Sequence, residues 1–390
     1  MATFTPALRN IKLFYLFSFT SMFSPCAPFF MIYFAQITGS YTLAMSVWTI
    51  RNLTIALLEV PTGILSDKFK RKTVTLLASC YFMISACLYA IANGYLILML
   101  ACICDGLYNA LISGNDEALI FDSLKENRLQ NKYHKVWGNM RFYRTLSYGL
   151  SAVLGSVIVW LWGIRQTYYV VVLCSIVMLL LSANLTEPDL LTQKAKDNIF
   201  KHFWKSVKYV WKDKKLRYLT LATGLDYGLG YAAYDFVNVF FKQFVPLWVL
   251  GALRIFSNLI GSIGSFFSYK ISMALGYTKT ILTFMGLNYV INFLSVLANC
   301  IASPFIKSVD VLISDVAEPA QESLMQNNFT DQQRATMGSV ISLFRSCVYG
   351  FFSLFIGFMA DTFSAYTSLM IIYIACFFIL PIYYLGLRSK

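Results

Sequence analysis

Twelve apolar blocks, each long enough to cross about 30 Å of hydrocarbon as a helix, fill most of this 390-residue chain. They run approximately over 12–36, 41–66, 72–93, 95–123, 134–162, 167–186, 216–242, 246–271, 278–299, 302–328, 333–360 and 364–387. A soluble chain of this size needs more surface charge than 13% charged residues supply beside 58% hydrophobic ones. Lipid offers backbone N–H and C=O groups no partner, so helices are the default. The short alternating strands of a transmembrane barrel are absent. The expected fold is therefore an all-α membrane protein with twelve transmembrane helices.

The net charge of +13 looks at first like a nucleic-acid footprint, but its distribution argues otherwise. With a cytoplasmic N-terminus, 24 of the 32 lysines and arginines fall on the cytoplasmic side. Arg165, Lys242 and Lys307 fall in outward connections, and Arg51, Arg141, Arg144, Arg254 and Arg345 lie inside helices. That asymmetry places both termini in the cytoplasm and implies membrane lipid, not nucleic acid, as the partner of the basic surface. The start, MATFTPALRNIK, has no cleavable signal pattern. The nine cysteines form no CxxC pair and fall almost wholly inside apolar blocks, where they read as small hydrophobes. Neither a metal site nor a cofactor is expected. No phosphate-binding loop and no recognisable nucleophile elbow is present, so the chain does not read as a pump or an enzyme.

Residues 188–215 interrupt the apolar pattern. Phe200, Phe203, Trp204, Val207, Val210 and Trp211 recur at spacings of three and four beneath a basic face. Such a helix lies in the cytoplasmic interface. It separates an N-terminal six-helix bundle, 1–187, from a C-terminal one, 216–390. The halves resemble each other at a constant separation of 201 positions: Gly63 with Gly264, Glu117 with Glu318, and Arg144 with Arg345. The two arginines each open an R-x-x-x-Y-G pattern.

The stretch EVPTGILSDKFKRKT, Glu59 to Thr73, joins the second block to a dense basic turn. It resembles the signature loop of the major facilitator superfamily, roughly G-x-L-A-D-R-x-G-R-K between the second and third membrane helices. Gly63, Leu65, Asp67, Lys68, Arg71 and Lys72 match, while Lys70 stands where the family has glycine. The resemblance implies a secondary transporter built as two pseudo-symmetric six-helix bundles around a midplane site. It also implies a latch in which the loop aspartate, the loop arginine and an acid at the end of helix 4 form a charge network. Asp67, Arg71 and Asp122 are the matching positions. Glu117 and Glu318 are candidates to pair with Arg345 or Arg144.

Ionisable groups at bilayer depth are costly and face a partner or a water-filled cavity. Arg51 and Arg254 lie deep in helices 2 and 8, Asp105 in helix 4 and Asp226 in helix 7. Around Asp226 the sequence GLDYGLGYAAYDF is rich in glycine and tyrosine. A carboxylate in an apolar cavity can exchange protons near neutral pH. Asp226 is the first candidate for proton coupling and Asp105 the second, each with a salt-bridged alternative. Glu59, Tyr227 and Tyr231 complete the candidate substrate or proton site. The leading expectation is a monomeric transporter in a bacterial cytoplasmic membrane, exporting an amphipathic drug or metabolite in exchange for protons. The alternative is a carrier of an anionic solute such as an organic acid, siderophore or sugar phosphate, held by the deep arginines.

Overall fold

The computed structural model describes residues 6–188, 199–327 and 334–388. Among them the regular structure is helical throughout, without a strand. Among the described residues eight helical stretches are long and apolar enough to cross a membrane. The other expected blocks fall on helices that are interrupted or more polar.

The first block divides into α1 (Pro6–Met22) and α2 (Phe30–Thr38). Pro25 and Pro28 sit in the turn between them, where each lacks the N–H that a continuing helix requires. α3 (Tyr41–Lys68), α4 (Arg71–Ile91), α5 (Tyr95–Ile112) and α6 (Asn115–Glu126) follow. α5 and α6 are one expected block broken at Gly114, whose φ of 73° is left-handed. α7 (Tyr133–Trp162) and α8 (Arg165–Ala183) end this half. The interfacial segment forms α9 (Ile199–Lys212); residues 189–198 and the side chains of Phe200 and Phe203 lie outside the described residues. Val210 is buried against Leu216, Leu219, Met325 and Ile341, whereas Trp204 and Trp211 are exposed.

The second half comprises α10 (Lys214–Phe241), α11 (Leu247–Leu275), α12 (Tyr277–Leu297), α13 (Ser303–Ser308), α14 (Asp310–Asn327), α15 (Arg334–Thr362), α16 (Ala365–Phe377) and α17 (Ile379–Arg388). By contact the chain forms two units. One holds residues 1–33 and 50–197, the other 34–49 and 198–390, so the division falls inside both α2 and α3.

In the first unit α4 packs on α5 and α8, and α1 on α6, α7 and α8. Phe14, Phe17, Val74, Ala78, Leu119, Ile120 and Met140 fill its core. Gly155 of α7 receives the Pro25 carbonyl so closely that an added Cβ would lie 2.2 Å from the oxygen. In the second unit α11 packs on α14 and α10 on α15. A Cβ at Gly264 would lie 2.2 Å from the Leu312 carbonyl oxygen, so the α11–α14 contact requires glycine there. Also in this unit, the Asp361 carboxylate of α15 caps the start of α3. It accepts from the Tyr41 and Thr42 amides at 2.7 and 2.9 Å and from the Ser40 and Thr42 hydroxyls at 2.6 and 2.7 Å. Replacing a helix-capping oxygen group by alanine costs about 1 kcal/mol. Asp361→Ala is therefore expected to lower the melting temperature of the purified protein measurably, and Asp361→Asn by less.

Candidate functional site

A cavity of about 400 Å³ lies within the second unit, walled by α10 to α14 and α16. Its apolar side includes Val237, Phe241, Leu250, Leu253 and Val311. Its polar side carries four carboxyl groups, Asp226, Asp310, Asp315 and Glu318, and two cations, Arg254 and Lys307.

Asp226 sits mid-length in α10 and accepts a 2.7 Å hydrogen bond from the Tyr289 hydroxyl of α12. It forms no ion pair among the described residues. Asp315 accepts from Ser265 at 3.0 Å, an approach made possible by Gly261, where an added Cβ would lie 2.8 Å from the Asp315 carboxylate. Glu318 lies one turn further along α14. Arg254 stacks over the Tyr234 ring at 4.5 Å.

Lys307 and Asp310 straddle the junction of α13 and α14 and pair at 2.7 Å, both side chains 11% exposed. Ser303 and Pro304 start α13, and its short turn carries the lysine inward. Asn288 and Asn292, one turn apart on α12, surround the pair. Asn292 donates to Asp310 at 3.0 Å, Asn288 also donates to Asp310, and the Asn292 carbonyl oxygen accepts from Lys307. Tyr373 is buried beside the pair, with the Lys307 ammonium 5.6 Å from the centre of its ring.

In the first unit the deep charges Arg51 and Asp105 are closed on one another. Arg51 of α3 donates to Asp105 of α5 at 2.6 Å, with 18% and 14% of their side chains exposed. Asn109 donates to the other Asp105 oxygen at 2.8 Å. Gly106 lets α5 approach α3, since a Cβ there would lie 2.7 Å from Thr54.

In the expected latch region Arg71 pairs with Asp122 at 2.7 Å. The side chains of Gly63, Asp67 and Lys68 lie outside the described residues. The Arg71 and Lys72 amides donate to Glu187 at 2.9 and 2.8 Å, so a carboxylate distant in sequence caps α4. Arg144 pairs with Asp116 at 2.6 Å, leaving the neighbouring Glu117 exposed. Arg345 pairs with Glu322 at 3.5 Å, one turn beyond Glu318. Tyr227 stacks on Tyr231 at 4.3 Å between Arg345 and the cavity. Glu59 is half-buried on α3 and outside the cavity.

The structure thus brings Asp226, Tyr231, Arg254 and Glu318 to one wall in the second unit, while Arg51 and Asp105 pair with each other in the first. Sequence reasoning missed Asn288, Asn292, Tyr373 and the role of Lys307, which hydropathy assigned to an outward connection. The available signal was the Asn pair at i,i+4 in an apolar helix beside a Lys–Asp pair at i,i+3.

Residues 13–347 match the family model of the Major Facilitator Superfamily, and the chain belongs to that family. No curated protein matches it by sequence. Among solved structures it is similar to a bacterial homolog of the human lysosomal transporter Spinster, in an inward-facing and unoccupied conformation. That match has 15% identity, covers 100% of this chain and 98% of the other, and has a TM-score of 0.77. It is also similar to a mutant of the nucleoside transporter NupG, with 11% identity, 97% and 100% coverage and a TM-score of 0.82. A POT family transporter in complex with a thioalcohol-conjugated peptide shares 13% identity over 96% and 95% of the two chains, with a TM-score of 0.69. The chain is thus an integral multi-pass membrane protein of a secondary-transporter family.

Proposed function

We propose that the chain exports a small amphipathic organic solute in exchange for protons, with the solute seated in the second-unit cavity and Asp226 carrying the proton. The observation that supports this best is Asp226 itself: a carboxyl group on the cavity wall, held by Tyr289 and in no ion pair among the described residues. A carboxyl group so placed can exchange its proton with the cavity contents. Tyr231, Tyr234 and the apolar wall suit the hydrophobic part of the solute, and the charged wall orients its polar part. The anionic-solute reading relied on Arg51 and Arg254. Arg51 is engaged by Asp105, and Arg254 shares its wall with four carboxyl groups. Charge asymmetry supports cytoplasmic termini, and the resemblance to compact exporters supports a monomer in a bacterial cytoplasmic membrane. The Arg71–Asp122 pair and the Glu187 cap support a gating role for the loop between α3 and α4.

The test uses inverted membrane vesicles energised to an acidic interior, with lumenal pH read by fluorescence as lipophilic cations, zwitterions, neutral drugs and organic anions are added. Solute-triggered proton efflux is expected in the parent and lost in Asp226→Asn, which preserves side-chain volume and removes the titrating group. Proton efflux that persists undiminished in Asp226→Asn sinks the assignment of Asp226. A response to anions alone, abolished by Arg254→Ala, replaces this reading with anion transport.

A further inference from the structure

We propose that a second cavity, towards the Gly338 end of α15, is an anion site that takes a phosphate group, with Arg345 as its cation and Ser342 and Ser346 as its hydroxyl donors. This cavity of about 250 Å³ lies within the second unit, between α10, α14 and α15. It shares no lining residue with the larger cavity, so the proposal stands apart from the role given to Asp226.

Arg345 is held unlike the other paired arginines. Arg51, Arg71 and Arg144 each meet a carboxylate at 2.6 or 2.7 Å, the length of a charge-assisted hydrogen bond. Glu322, by contrast, stands 3.5 Å from Nη1 of Arg345, and 58% of the Glu322 side chain is exposed against 24% of Arg345. A pair so long and so wet holds the guanidinium weakly. The Arg345 Nε is sealed in the protein without a hydrogen-bond partner among the described residues, and the Tyr227 ring lies 5.7 Å from its Cζ. Packing thus fixes the arginine stem and leaves the Nη groups as the part that meets a ligand. Glu322 is then a displaceable stand-in for that ligand.

The neighbours of Arg345 select the anion. Ser342, Arg345 and Ser346 fall at i, i+3 and i+4 on α15, which puts them on one helix face, and all three line the cavity. A guanidinium beside hydroxyls from two successive turns suits a tetrahedral oxyanion, whose oxygens point in several directions. Gly338 begins the apolar stretch of α15, and Arg345 lies about 10 Å along the helix from it, within reach of the interface for a long side chain. The basic helix α9 is seated on the same wall. Its Val210 packs on Met325 and Ile341, both of which line the cavity. α9 carries Lys201, Lys205, Lys208 and Lys212 and no carboxylate, and its Trp204 and Trp211 are exposed. Such a helix belongs where the phosphates of a membrane surface lie. Two sources offer the same chemistry: the headgroup of an anionic phospholipid and a soluble phosphate ester.

The test follows the melting temperature of the detergent-purified full chain during titration with dioleoyl phosphatidylglycerol, dioleoyl phosphatidylcholine or glycerol 3-phosphate. Stabilisation by phosphatidylglycerol and not by phosphatidylcholine is expected. A matching response to glycerol 3-phosphate assigns the site to soluble phosphate esters; its absence assigns it to lipid. Arg345→Gln is expected to weaken phosphatidylglycerol binding by more than about tenfold. Ser342→Ala with Ser346→Ala, which keeps the charge, is expected to weaken it by roughly three- to tenfold. Glu322→Gln removes the competing carboxylate and is expected to tighten binding by roughly three- to tenfold. That opposite sign separates a ligand site from a structural ion pair, for which both variants act alike. Equal stabilisation by the two lipids, no response to either phosphatidylglycerol or glycerol 3-phosphate, or unchanged affinity in Arg345→Gln overturns the proposal. So does weaker binding in Glu322→Gln.

Discussion

Arg51→Ala is expected to destabilise the purified protein by about 3–5 kcal/mol, the cost of stripping one partner from a buried ion pair. The guanidinium is the only cation at ion-pair distance from Asp105 among the described residues. Asn109 and Tyr89 remain beside the carboxylate, at 2.8 and 3.5 Å, but both are neutral. The stranded charge must then draw in water, take up a proton or disrupt the α3–α5 contact that Gly106 makes tight. The double variant Arg51→Met with Asp105→Leu tests the cause, because it removes both charges and keeps apolar volume. It is expected to recover most of the lost melting temperature. If the double variant is as unstable as Arg51→Ala, lost packing by the arginine stem, not charge, holds this region together.

Gly264→Ala is expected to impair folding of the second unit, although it adds a single methyl group to a helix interior. In an open helix that change is favourable by roughly 0.5–1 kcal/mol. Here the methyl carbon would sit 2.2 Å from a backbone oxygen of α14, and a carbonyl in a helix cannot rotate aside. Overpacking of this kind costs about 1–3 kcal/mol or more. It also pushes α14 outward, and α14 carries Asp310, Asp315 and Glu318. Gly149→Ala is the control, since nothing lies within 4 Å of a Cβ there. Comparing the yield of folded protein in detergent for the two variants checks the prediction. Equal yields remove the α11–α14 contact from the account.

The sequence carries the fold far better than the site. Long apolar blocks leave few alternatives in lipid, so the helices are legible from hydropathy alone. Arg71–Asp122 is legible through the family resemblance, which implies an acid at the end of helix 4 beside the loop arginine. Glu187 is not, because a cap depends on where a chain end returns in space, 116 residues away. Lys307 shows the sharpest limit. Hydropathy assigns a lysine to water, and only the break between α13 and α14 shows that it turns inward onto Asp310. Arg144 and Arg345 are legible as buried charges, but their partners Asp116 and Glu322 lie close in sequence to the expected Glu117 and Glu318. Neighbours along a helix face in different directions, and that is settled by packing.

The duplication offers a last consequence. Lys307 and Asp310 stand at the positions that Gly106 and Asn109 occupy in the first copy. One copy uses that level of the helix for a glycine contact beside a sealed ion pair, and the other for an open, charged wall. On the proposed reading the copies divide their labour: substitutions along α10 to α16 are expected to change which solute is chosen, and matched substitutions near Arg51 and Asp105 to be seen as loss of protein.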